Sequence, residues 1–98
     1  MSKKLMLIVN PNSGKGAIAT ALFDIIDTFS NSDYLVTTYM TKAAGDAGRF
    51  AVTFGKQYDL IVCVGGDGTL SDTINGLVLL DEKPPLGYIP MGTANDLA

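Results

Sequence analysis

The chain has 98 residues, with ten Asp and Glu against seven Lys and Arg, one cysteine and no histidine. That length holds one domain rather than two, the net charge of −3 argues against nucleic acid as the main partner, and the missing imidazole excludes a Ser-His-Asp triad, a Cys-His pair and a His-ligated zinc site. At 47% hydrophobic and 17% charged residues the composition is that of a folded, cytoplasmic domain, and the lone Cys63 allows no internal disulfide.

Met1 to Lys4 has the charge of a secretory leader, but the apolar run Leu5 to Val9 is shorter than the roughly 7–15 residues such a leader needs. It reads instead as a first strand buried on both faces. The strand ends in Asn10-Pro11-Asn12-Ser13-Gly14-Lys15-Gly16, where Pro11 bars further sheet pairing. Ile18, Leu22, Ile25, Ile26 and Phe29 then recur at helical spacing, with Asp24 and Asp27 on the opposite face. After the polar connection Ser30 to Asp33, Tyr34 to Met40 has the β-branched and aromatic content of a second strand. A second helix is predicted from Gly45-Asp46 through Phe54, with Asp46 as its N-cap and Gly55 as its stop.

Leu60 to Val64 is a third strand, in which Cys63 reads as a buried structural thiol. It breaks into Gly65-Gly66-Asp67-Gly68-Thr69, whose glycines are expected to take positive φ or to let the backbone approach a phosphate. Leu70, Ile74, Leu77 and Val78 follow at helical spacing, so Asn75-Gly76 is read as part of a helix rather than as a hairpin turn. Pro84-Pro85 ends that unit, and Leu86 to Pro90 is a fourth strand leading into Met91-Gly92-Thr93-Ala94-Asn95-Asp96.

Strands alternating with helices predict a three-layer α/β/α sandwich around a parallel sheet. In such a sheet the three polar turns lie on one edge, and the order 2-1-3-4 would floor a crevice with the first and third of them. Free amides at a helix start after the third strand favour an anion there. Two nucleotide fingerprints fail on these residues. A Walker loop needs glycine at Val9 and Ser or Thr at Gly16, and the dinucleotide pattern through Gly14 and Gly16 lacks an acid near Met40-Thr41-Lys42.

Three segments, Asn10 to Gly14, Gly65 to Thr69 and Pro90 to Asp96, closely resemble the diacylglycerol kinase catalytic family, and Thr41 with Gly45-Asp46-Ala47 is similar to that family's segment after its second strand. Phosphofructokinases and NAD kinases share the glycine turn and the fold of this N-terminal part, but not the flanking segments. The resemblance implies an ATP-binding part of a lipid kinase that transfers the γ-phosphate to diacylglycerol or a related lipid. It further implies Mg²⁺, a lipid acceptor met by peripheral membrane contact, and a β-rich C-terminal domain that these 98 residues do not include.

Carried over residue by residue, it assigns nucleotide binding to Asn10, Pro11, Asn12, Ser13, Gly14 and Thr41. In the third turn and its helix it assigns Gly65, Gly66, Asp67, Gly68, Thr69, Leu70, Ser71 and Asp72, and beyond the fourth strand Thr93. Asp67 is the catalytic residue expected in this part, acting on the metal indirectly, and the resemblance implies a further catalytic carboxylate in the C-terminal domain, while Asn10 is expected to pin its own loop. Where the family often has Asn-Glu after the turn, this chain has Ser71-Asp72. The alternatives are an NAD or sugar-phosphate kinase sharing the turn, and a non-catalytic nucleotide-binding module. With no evident base for an acceptor hydroxyl, the 98 residues are expected to bind nucleotide without turnover, and to be marginally stable or to self-associate.

Overall fold

The computed structural model describes residues 2–91, in the order β1 (Lys3–Val9), α1 (Ala17–Asn31), β2 (Tyr34–Met40), α2 (Asp46–Phe54), β3 (Leu60–Gly65), α3 (Asp67–Leu77) and β4 (Leu86–Pro90). The four strands form one parallel sheet in the order β2-β1-β3-β4. This is the order in which the first and third polar turns floor one crevice. β1 starts two residues earlier than its apolar run, because Lys3 and Lys4 pair with Tyr34 and Leu35 while remaining exposed.

Leu5, Leu7 and Val9 of β1 with Val62 and Val64 of β3 form one face, covered by Ile18, Leu22, Ile25, Ile26 and Phe29 of α1. Met6, Ile8 and Ile61 point the other way, against Ala47 and Ala51 of α2 and Leu77 of α3. Alternation along each buried strand thus feeds two cores, and the fold is a three-layer α/β/α sandwich. Cys63 is fully buried, with its Sγ 3.6 Å from the Thr73 hydroxyl oxygen, and burial pushes its thiol pKa up.

α2 ends at Phe54 with Gly55 as its C-cap, as the sequence predicts, at right-handed helical angles that open a 3-10 turn, Gly55–Gln57. What selects glycine there is space, since an added Cβ would lie 3.1 Å from Ile61 Cδ1. In α3 the predicted apolar stripe does not form the packed face: Thr69, Thr73, Gly76 and Leu77 are buried, while Ile74 and Val78 are exposed. The reason is α2, whose Gly48 carbonyl would lie 2.2 Å from a Cβ on Gly76. Two helices sharing one face of a narrow sheet approach backbone to backbone, and only small side chains fit between them.

Candidate functional site

The C-terminal edge of the sheet gathers the loops after β1, β2 and β3. Asn10, at the end of β1, accepts the Asn12 amide on Oδ1 at 3.0 Å and donates from Nδ2 to Thr69 Oγ1 at 3.3 Å. Its side chain therefore pins its own loop, as expected, and ties it to the turn after β3. Gly14, at φ +70°, would place a Cβ 3.1 Å from the Met91 carbonyl, so the first loop also reaches the end of β4.

The turn after β3 does not take the positive φ expected of it. Gly65, Gly66 and Gly68 are absent from the positive-φ glycines, which among the described residues are Gly14, Gly16 and Gly45. Gly65 is needed for contact, since a Cβ there would lie 2.9 Å from Thr69 Oγ1, whereas Cβ atoms on Gly66 and Gly68 would meet nothing within 4 Å. The turn is short because α3 starts at once: Gly66 is its extended N-cap, and the Leu70 amide already bonds to the Gly66 carbonyl at 3.1 Å. Glycine cannot cap with a side chain, so the first amides of α3 carry no side-chain cap.

A cleft of about 660 Å³ opens between this helix and the loop after β2. Of the predicted residues, Asn10, Asn12, Thr41, Gly68, Thr69, Ser71 and Asp72 line it. Pro11, Ser13, Gly14, Gly65, Gly66, Asp67 and Leu70 do not, and Thr93 lies outside the described residues. On α3 the cleft takes Thr69 and the stripe of Gly68, Ser71, Asp72 and Asn75, while Leu70, Ile74 and Val78 form another. Asp67, one residue earlier, is exposed at the helix start, where its Oδ1 accepts the Tyr88 hydroxyl of β4 at 3.2 Å. Burial first, and then this bond, push the Tyr88 pKa up.

Sequence reasoning missed the opposite wall, Lys42, Ala43, Ala44, Gly45 and Ala47, and also Asn75. The signals were present: small residues between a strand end and a helix start, and Asn75 seven positions after Gly68. Asp46 is not the N-cap of α2. Gly45 takes that position at φ +92°, and Asp46 turns back to accept the amides of Lys42 and Ala43 at 2.8 and 3.0 Å. Those two bonds, with a smaller contribution from the ion pair to Arg49, hold its carboxyl below the usual range.

The donor set limits what ions fit. Among the described residues no group of three Asp, Glu, His or Cys could hold a metal. One exposed carboxylate beside uncapped helix amides suits a cation carried mainly by phosphate and water oxygens, as Mg²⁺ is, rather than a protein-built cage. Also among these residues, no helix is long and apolar enough to cross a membrane.

Comparison with known proteins adds to this geometry. The profile of the family described as "Diacylglycerol kinase catalytic domain" matches residues 4–98. The chain is 40% identical over 97 residues to a diacylglycerol kinase of Bacillus subtilis (strain 168), covering 98% of this chain and 32% of the relative. A diacylglycerol kinase of Staphylococcus saprophyticus is 38% identical, with the same coverage. A crystal structure of a diacylglycerol kinase from Bacillus anthracis str. Sterne superposes with a TM-score of 0.86 at 39% identity, covering 96% of this chain and 35% of that one. The chain thus spans about a third of the length of these relatives.

Proposed function

The chain belongs to the diacylglycerol kinase catalytic domain family, and from that premise we propose that it is the N-terminal, ATP-binding part of a lipid kinase whose parent phosphorylates diacylglycerol or a related lipid hydroxyl. The observation that carries this reading is the uncapped start of α3, with open space over Gly66 and Gly68, at the mouth of a cleft large enough for a nucleoside. In this reading the base and ribose occupy the cleft against Thr41 and the small residues of the loop after β2. The phosphates cross the amides at the head of α3, where the helix dipole and close backbone approach favour negative charge.

Thr69, buried and tied to Asn10, keeps this floor rigid, so the cost of ordering it is met in folding rather than at binding. Asp67, on the β4 side of the same helix start, is the group that would hold Mg²⁺, through water, beside the terminal phosphates; the cation supplies charge neutralisation to phosphoryl transfer. The acceptor oxygen then bonds to the γ-phosphorus as the bridging oxygen departs with ADP, and the hydroxyl proton passes to a base outside these 98 residues. By themselves the residues bind nucleotide without turning it over. The lipid acceptor implies that the parent meets its substrate at a membrane surface.

Three glycine substitutions test this cleanly, because an added Cβ meets nothing within 4 Å at Gly66 or Gly68 and makes only an ordinary 3.5 Å contact with Val62 at Gly87. None of the three is at positive φ, so each variant should fold. Gly66→Ala and Gly68→Ala should weaken MgATP binding in calorimetric titration by about tenfold or more, the cost of a methyl driven between backbone and phosphate. Gly87→Ala should bind as wild type, and equal affinity in all three variants would remove the phosphates from this turn.

A further inference from the structure

We infer that Asp72 is a positioning residue that sets the width of the cleft by holding the loop between β2 and α2, and that its carboxylate does not serve as a ligand contact. The inference rests on the nucleotide reading for the identity of the ligand, though not for the geometry. Residues Thr41 to Gly45 form the cleft wall facing α3. One end of this loop is tied inward by the Asp46 carboxylate, which takes the amides of Lys42 and Ala43. Across the cleft mouth, the described hydrogen bond that links the loop to α3 runs from the Gly45 amide to Asp72 Oδ2, at 3.0 Å.

The helix pair dictates this bond. Gly48 and Gly76 bring α2 and α3 to backbone contact, and a Cβ on Gly48 would lie 2.6 Å from the Asp72 carbonyl. Asp72 stands one turn before Gly76 and Gly45 one turn before Gly48, so the two meet just beyond the glycine contact. At that separation the single methylene of aspartate spans the gap. The carboxylate also sits at the N-terminus of α2, where Gly45 offers no side-chain cap and a negative charge is favoured. Its Oδ2 is thereby engaged by protein, which keeps the charge at the loop and away from the head of α3, where it would repel the phosphates.

The test uses the 98-residue chain labelled with ¹⁵N, following amide hydrogen exchange at residues 42–45 and MgATP affinity by titration. Asp72→Ala removes the acceptor, Asp72→Asn keeps an acceptor oxygen without the charge, and Asp72→Glu keeps the charge but moves it by one methylene. Exchange at Gly45 should accelerate at least tenfold in the Ala variant and by less than threefold in the Asn variant. MgATP binding should weaken about tenfold with Ala, less than threefold with Asn, and by an intermediate factor with Glu. Asn binding as poorly as Ala, or more tightly than wild type, overturns the inference, because the charge itself would then be what the ligand feels.

If Asp72→Ala unfolds, the Glu variant decides, since a ligand contact through charge predicts little loss and a positioning role predicts a clear one. If wild type binds no ATP, the nucleotide reading fails by itself. Exchange at Gly45 then decides alone: acceleration in Asp72→Ala supports the hold on the loop, and protection unchanged from wild type refutes it.

Discussion

Helices α1 and α3 carry apolar residues at the same spacing, yet only α1 packs its whole stripe on the sheet, Ile18 buried and the rest half-buried. α1 has one face of the sheet to itself, and Ile18, Leu22, Ile25, Ile26 and Phe29 all pack on Leu5, Leu7, Val9, Val62 and Val64. α3 shares its face with α2, buries Thr69, Thr73 and Gly76 there beside Leu77, and leaves Ile74 at 42% and Val78 at 58% exposed. The fully buried Thr73 satisfies its hydroxyl by donating to the Thr69 carbonyl at 2.8 Å, which lets a polar residue occupy a helix-helix contact. Periodicity identifies a helix in both cases, but it identifies the buried face only where the helix packs on a sheet. Against another helix at close range, residue size decides.

Four substitutions, read in three comparisons, break or sharpen this contrast. The largest effect should come from Gly76→Ala, because the Cβ would lie 2.2 Å from the Gly48 carbonyl and backbone cannot swing away as a side chain does. A loss of about 3 kcal/mol or outright failure to fold is expected, read by urea denaturation. A loss under about 1 kcal/mol would show that the helix pair yields.

Next, Leu22→Ala on α1 should cost about 2 kcal/mol, while Ile74→Ala on α3 should cost about 1 kcal/mol or less, because the first vacates packed space and the second a site already 42% open to solvent. Comparable losses by the same assay would mean that the outer face of α3 is covered.

The smallest effect concerns the loop that α2 supports. Folding lowers the Asp46 pKa, through the amides of Lys42 and Ala43 before Arg49. Its contribution is therefore fully present above the ordinary carboxylate value of about 4 and is lost as pH falls through the lower folded value. The stability gap between wild type and Asp46→Asn should be constant near neutrality and should close below about pH 4. A gap that persists unchanged into strong acid would remove the charge from the explanation.

The local chain determined much of this protein. Uninterrupted apolar runs specify β1 and β3 as central strands, because only a strand covered on both faces needs every residue apolar, and short strand-helix units leave few topologies beyond 2-1-3-4. Asn10 pins its loop and Cys63 is buried for equally local reasons. What the chain could not show depends on contacts between distant segments. The Gly45 amide meets Asp72 across 27 positions, and Gly48 meets Gly76 only because both helices land on one side of the sheet. From that single approach follow the buried face of α3, the cleft wall at Lys42 to Ala47, and the division of the helix start into a cleft side and an Asp67 side. Spacing along the chain places residues on a stripe, but which stripe meets solvent, ligand or protein is settled by the neighbour that arrives from elsewhere.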